Sequence, residues 1–248
     1  MTARLTIEYD GTAFAGWARQ PGQRTVQAEL ERALSVVLHR PAVPLTVAGR
    51  TDAGVHAWGQ VASYRGEPAG LDSLNALLPD DIAVLECAAA QPAFDARRDA
   101  TSRAYCYRLL VRRARSAHEA GRALHWPHPL DRARLDECAQ ALVGTHDFTA
   151  FTPSDTDHVR FSREILAARW IDADPGLLEF WIEADSFMRH MNRVLVGTML
   201  EVGGDRRTVA DFGRLLQGGR RSEAGVTSPA HGLYLAGVGY RDSVLSPA

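Results

Sequence analysis

Lysine is missing from this chain: all 28 basic residues are arginine. The absence excludes the Gly-x-x-x-x-Gly-Lys-Ser/Thr phosphate loop, which needs the ammonium group. It also means that every side chain cationic at all ordinary pH values is a planar guanidinium, able to bind phosphate bidentately and to stack on a base. Cysteine is scarce as well. Cys87, Cys106 and Cys138 make an odd count with no Cys-x-x-Cys pair, so neither a disulfide framework nor a thiolate zinc site is expected. No segment approaches the ~20 apolar residues of a membrane-spanning helix. The sequence also lacks low-complexity tracts, short-period repeats and a dinucleotide fingerprint followed by its acidic residue. Met1 to Asp10 runs straight into strand-like alternation instead of forming a leader. The expectation is a reduced, cytoplasmic chain with no membrane segment.

What is present fits a globular enzyme or binding protein. The 248 residues allow one large domain or two of ordinary size, and 46% are hydrophobic against 23% charged. The formal net charge is -2. A nucleic-acid binder is usually basic, so any such role has to rest on a local field over one face.

Leu5 to Tyr9 alternates like a half-buried strand and ends at the Asp10-Gly11 turn signal. Thr25 stands as a helix N-cap before a segment whose Leu30, Ala33, Leu34, Val37 and Leu38 share one face. Leu45 to Ala48 and Gln60 to Tyr64 read as strands, Leu71 to Leu78 as a helix, and Ile82 to Ala88 as a strand. This order of strand, helix, strand, strand, helix, strand is the ferredoxin-like split arrangement. The second half repeats the logic with insertions. It has a strand at Ala104 to Val111, a helix from Leu130 to Gly144, and a hairpin of Ile165–Ile171 with Leu177–Ala184 around Asp174-Pro175-Gly176. Then come a helix over Phe187 to Val202, a short helix over Val209 to Leu216 and a closing strand over Gly232 to Val238. Thr152 to Arg163 is polar and reads as a mobile loop. The expected fold class is α/β of the α+β type: two ferredoxin-like halves forming a mixed, mostly antiparallel central sheet flanked by helices. Residues 1–95 form the N-terminal half and 96–248 the C-terminal half.

Candidate chemistry centres on Gly49-Arg50-Thr51-Asp52-Ala53-Gly54-Val55-His56. Two glycines permit unusual backbone shapes, and a guanidinium two residues away favours an ionised carboxylate. An Asp in such a loop commonly serves an Asx-turn, so the loop alone does not reveal a reaction. Asp52 and His56 could in principle ligate one metal. With no third ligand at regular spacing, His56 reads instead as a hydrogen-bonded loop histidine. Tyr105 and Tyr107 share a strand face, as core aromatics or as a platform for a nucleobase. Arg189 and Arg193, four apart on one expected helix, are either solvated or face an anion, a phosphate or a catalytic carboxylate.

The Gly49–His56 segment resembles the signature of the TruA family of tRNA pseudouridine synthases. In the same order come Tyr9-Asp10-Gly11 with Phe14 and Gly16-Trp17, Val26-Gln27, Gln60-Val61, Asn75 with Leu78-Pro79, and Phe94 with Ala96-Arg97. Tyr105-Cys106-Tyr107, Gly144-x-His146-Asp147-Phe148, Phe187-Met188-Arg189-His190-Met191 with Arg193, and Gly232-Leu233-Tyr234-Leu235 complete the match. It covers about residue 5 to about residue 240. The resemblance implies the pseudouridine synthase fold and isomerisation of uridine to pseudouridine at positions 38, 39 and 40 of the tRNA anticodon stem-loop, by a homodimer using neither metal nor cofactor. Asp52 corresponds to the nucleophile. Its carboxylate either attacks ribose C1′ or deprotonates C2′ to a glycal. Tyr105 corresponds to the tyrosine that packs on the target base, Arg50 to the arginine that enters the stack as the uridine leaves, and Arg193 to the partner of the carboxylate. Arg97, Arg98, Arg103, Arg112, Arg113, Arg206, Arg207, Arg220 and Arg221 are candidates for a basic groove. Ala18 departs from the glutamine often found in the family, and Asp155 and Asp157 make the 152–160 loop less basic. Three other readings stay open on the residues: an inert RNA-binding protein on this scaffold, a metal-dependent hydrolase using Asp52 and His56, and a family member acting on another RNA.

Overall fold

The computed structural model describes residues 1–156 and 159–241. Its ten strands form mixed, mostly antiparallel β-structure flanked by helices, in two compact units. The first unit contains Met1–Arg103 and the chain from Tyr234 onward, and the second contains Ala104–Leu233.

In the first unit, β1 (Thr2–Tyr9) buries Ala3, Leu5, Ile7 and Tyr9, the period-two face read from its sequence. It runs antiparallel to β3 (His56–Arg65) on one side and β4 (Ile82–Ala90) on the other. Helix α1 (Val26–Val37) starts at Thr25, whose hydroxyl accepts from the Ala28 N–H, and it buries Leu30, Ala33 and Leu34. Helix α2 (Leu71–Asn75) is shorter than its sequence suggests. The Asn75 side chain leaves the helical pattern to bond both the N–H and the carbonyl of Val84. The far edge of β3 is shared. The two-residue β2 (Thr46–Val47) pairs antiparallel with Ala62 and Ser63, while β10 (Leu233–Tyr240) pairs parallel with His56 and Ala57. The last strand of the described residues thus returns to the first unit, at the end of β3 next to the Asp52 loop.

In the second unit the strand order is β5-β9-β8-β7, for β5 (Ala100–Leu110), β9 (Leu177–Ala184), β8 (Ser162–Asp174) and β7 (Gly144–Asp147); β6 (Leu124–His125) pairs with β5. The β8–β9 hairpin is antiparallel, as expected from Asp174-Pro175-Gly176. Helices α3 (Arg132–Leu142), α4 (Met191–Gly203) and α5 (Val209–Leu215) complete the unit. One expectation is corrected here. Helix α4 begins at Met191 rather than Phe187, because His190 adopts a left-handed backbone (φ 62°) that no right-handed helix accommodates. Arg189 therefore lies before the helix, not on the same face of it as Arg193. The stretch from Thr152 to Arg163, expected as a loop, is anchored at its two ends. Thr152 is buried and donates to the Arg189 carbonyl, and Arg163 is buried in β8. Asp157 lies outside the described residues. Among the described residues, no helix is long and apolar enough to cross a membrane.

Candidate active site

Asp52 sits in the connection between β2 and β3, half-buried, on a backbone braced along its length. Its carbonyl accepts from the Val55 N–H at 3.2 Å, closing a turn whose third residue, Gly54, has φ 77°. A positive φ there is the type II requirement that glycine meets without strain. Upstream, the fully buried Gln60 donates from Nε2 to the Gly49 carbonyl at 2.7 Å. The Trp17 N–H donates to the Thr51 carbonyl at 3.0 Å, and the Tyr9 and Thr51 hydroxyls bond at 2.7 Å. Burial pushes the Tyr9 phenol up to about 12 against the lowering effect of the bonds to Thr51 and Gln60, so it stays a neutral hydrogen-bonding group near pH 7.

Two glycines let neighbouring backbone reach this loop. A Cβ on Gly11 would lie 2.0 Å from the Val55 carbonyl oxygen, and one on Gly16 would lie 2.8 Å from that of Thr51. Neither distance is available to a real side chain, so the Tyr9-Asp10-Gly11 and Gly16-Trp17 segments act as walls of the Asp52 loop.

His56 is buried directly after the loop. The Gly11 N–H donates to its Nδ1 at 3.1 Å, which makes Nδ1 an acceptor and puts the ring proton of the neutral form on Nε2. Asp10 Oδ1 stands 3.2 Å from the same nitrogen, but that oxygen already accepts from the N–H and hydroxyl of Thr12. The ring stacks on Tyr234 at 4.6 Å, and Tyr234 stacks on Trp58 at 4.3 Å. His56 is therefore a structural post of the loop, as its sequence context suggested. Arg50 is exposed and makes no ion pair among the described residues. Its two-residue spacing from Asp52 does not bring the two charges into a pair, which leaves its side chain able to reorient.

The second unit carries the other two candidates. Tyr105 is buried on β5, its ring edge-on to Phe187 at 5.1 Å. Cys106 beside it is fully buried, and burial pushes its thiol far up, the pattern of a packed cysteine. Arg193 lies in the first turn of α4 and is tied to Ser228 twice: its Nε donates to the Ser228 carbonyl at 2.7 Å, and its own carbonyl accepts from the Ser228 N–H at 3.0 Å. The side-chain bond engages Nε, and the planar guanidinium is of the kind that suits a carboxylate or a phosphate. Ser228 carried no sequence signal, because a backbone carbonyl that orients an arginine can belong to any residue.

The groove candidates sort by partner. Arg97, Arg113, Arg206 and Arg220 are exposed. Arg98 pairs with Asp99, and Arg207 with Glu201. Arg103 donates to the Ala48 carbonyl at 2.9 Å and so braces the start of the Asp52 loop. Arg112 bonds the Ala114 carbonyl, and Arg221 the Gly225 carbonyl and the Thr227 hydroxyl. Arg189 pairs with Asp155 at 2.5 Å, which neutralises part of the acidity of that loop.

Comparison with known proteins places these features in a family. A family model described as tRNA pseudouridine synthase matches residues 5–96 and 138–241, which contain Asp52 and Arg193, while Tyr105 lies between the two matched segments. A tRNA pseudouridine synthase A of Bacillus pumilus is 39% identical over 97% of this chain and 99% of its own. The proteins of that name from Methylococcus capsulatus and Frankia casuarinae are each 43% identical, over 97% and 96% of this chain and 90% and 88% of theirs. A match of this length on both units, with relatives aligned over nearly their whole chains, makes this protein a member of the TruA family of tRNA pseudouridine synthases, enzymes of the isomerase class.

Proposed function

We propose that the protein converts uridine to pseudouridine at positions 38, 39 and 40 of the tRNA anticodon stem-loop, with Asp52 as nucleophile, acting as a cytoplasmic homodimer. The observation that carries this reading is the Asp52 loop. A half-buried carboxylate stands on backbone held at Gly49, Thr51 and Val55 by groups from other segments. Preorganisation of this kind suits a group that must meet a reacting carbon in one geometry. In the proposed reaction the carboxylate either attacks ribose C1′ or removes the C2′ proton to give a glycal, and the N1–C1′ bond breaks with its electron pair going to N1. The freed uracil turns, C5 bonds to C1′ as the carboxylate leaves or the C2′ proton returns, and the C5 proton is lost to solvent while N1 takes one up. Tyr105 packs on the base during this rotation, and Arg193 pairs with Asp52, keeping it ionised.

A uridine in a paired stem has to be flipped out, at a cost of roughly a few kcal/mol. An exposed Arg50 offsets part of that by filling the gap and touching phosphate. The exposed arginines, brought together from two subunits, provide the local positive field that a net charge of -2 does not.

The test is Asp52→Asn. Tritium release from tRNA labelled at uridine C5 should fall by at least ~10³-fold, the loss expected when a nucleophile is removed, with tRNA binding retained. Full release by this variant would remove the mechanism. Mapping pseudouridine in treated tRNA checks the positions separately.

A further inference from the structure

The segment Gly225–Pro229 runs back along α4, and its contacts do more than close a loop. Gly197 of α4 has no room for a side chain, because a Cβ there would lie 1.9 Å from the Val226 carbonyl oxygen. One turn of helix away from Val194, the Thr198 hydroxyl donates to the Val194 carbonyl at 2.7 Å and accepts from the Gly225 N–H at 2.9 Å. At the other end, the buried Tyr107 hydroxyl donates to the Pro229 carbonyl at 2.9 Å. Between them, Arg221 donates from Nη1 to the Gly225 carbonyl and from Nη2 to the Thr227 hydroxyl, each at 2.9 Å. The one residue of the segment that reaches a functional side chain is Ser228, through both of its bonds to Arg193.

We infer that this segment is a strap that aims the Arg193 guanidinium, and that Arg221 and Tyr107 are positioning residues acting on Arg193 through the Ser228 carbonyl. The proposal rests on the reading of Arg193 as partner of the Asp52 carboxylate. It withdraws Arg221 from the arginines that bind RNA. Arg221 is half-buried with both terminal nitrogens engaged inside the protein, which fixes its guanidinium plane on the segment. The strap needs an arginine at this position because one planar fork spans two acceptors. The Tyr107 hydroxyl fixes the strap's far end without entering the site itself.

The experiment measures single-turnover tritium release at saturating tRNA, and tRNA Kd across a salt series, for Arg193→Ala, Tyr107→Phe, Arg221→Gln and Arg221→Lys. The strap predicts that Tyr107→Phe and Arg221→Gln each slow release by roughly tenfold, the effect of a modest misplacement of a catalytic partner. Kd and its salt slope stay unchanged. Arg221→Lys, which keeps one of the two bonds, recovers part of the rate, and either variant added to Arg193→Ala costs nothing further. Should Arg221→Gln instead weaken binding and reduce the salt slope by about one, with the saturated rate intact, Arg221 would be a phosphate contact and the strap would be overturned. Wild-type release by both Tyr107→Phe and Arg221→Gln, beside an impaired Arg193→Ala, overturns the strap and leaves the role of Arg193 standing. Wild-type release by Arg193→Ala removes that role and the strap with it. Tyr107→Phe keeps the buried ring, so it remains a test if an Arg221 variant fails to fold.

Discussion

Gly11→Ala is the smallest change that tests whether the Asp52 loop is as rigid as its contacts imply. The added Cβ would stand 2.0 Å from the Val55 carbonyl oxygen and 2.5 Å from its carbon. Both are backbone atoms, so no rotamer change relieves the clash. Reaching the 3.4 Å of ordinary contact requires 3.4 − 2.0, about 1.4 Å of opening. That movement pulls the Gly11 N–H away from His56 Nδ1, a buried bond of 3.1 Å. Overpacking costs about 1–3 kcal/mol, and stranding a buried acceptor costs about 1–3 kcal/mol more. The expected destabilisation is then about 2–6 kcal/mol, read as a lower urea midpoint at constant m-value. Because Val55 closes the turn that begins at Asp52, the carboxylate shifts too. A misplacement near 1 Å costs on the order of 10²-fold in rate, measured by single-turnover tritium release below the unfolding midpoint. An alanine variant with the parental midpoint and the parental rate would refute the reasoning, since the loop would then have yielded freely.

Three further outcomes are expected. Gly213→Ala, within α5 with nothing inside 4 Å of the new Cβ, should raise stability by about 0.4–1 kcal/mol; a loss would mean that this helix position is constrained in the native state. Burial holds His231 below its ordinary 6.5, opposed by its hydrogen bond to the Ala123 backbone and aided by the Arg193 charge. The unfolded chain therefore takes up the proton first as pH falls through 6.5, so stability drops between 6.5 and the lower folded value. His231→Gln should flatten that part of a urea-midpoint profile, and an unchanged slope would contradict it. Burial also raises the thiols of Cys106 and Cys138, the latter to about 12. Neither should react with a thiol reagent at pH 8 until denaturant is added, and rapid labelling of two or more thiols in the native protein would contradict their packing.

Local features of this fold were legible in the sequence wherever one segment carried its own signal. Thr25 caps α1, the alternation of β1 chooses its buried face, and Asp174-Pro175-Gly176 closes the β8–β9 hairpin. The Asp52 loop stood out because its glycines and its charge lie within eight residues. Apolar periodicity misled where it ran through His190, since hydrophobic spacing carries no information about a single left-handed residue. Arginine misled in a different way. Sequence reports a charge but not its partner, so Arg103 and Arg221 read like Arg97 and Arg113, although the first two are spent on backbone carbonyls. The return of β10 to β3 left no signal either, because a parallel partner is joined by no hairpin and can come from anywhere in the chain.

That returning strand also sets an order of assembly. The second unit is one uninterrupted stretch, Ala104–Leu233, whereas the first waits for Tyr234 onward. In chain order the segment bearing Asp52 precedes the whole second unit, yet the end of β3 beside it, paired with β1 through Ala57 and Tyr9, gains its second neighbour only from β10. The first unit is thus begun before the second and completed after it. A nascent chain cut short before β10 carries the stretch of the second unit but a first unit still missing a strand, so the scaffold of the Asp52 loop is completed only once the other unit has been synthesised in full.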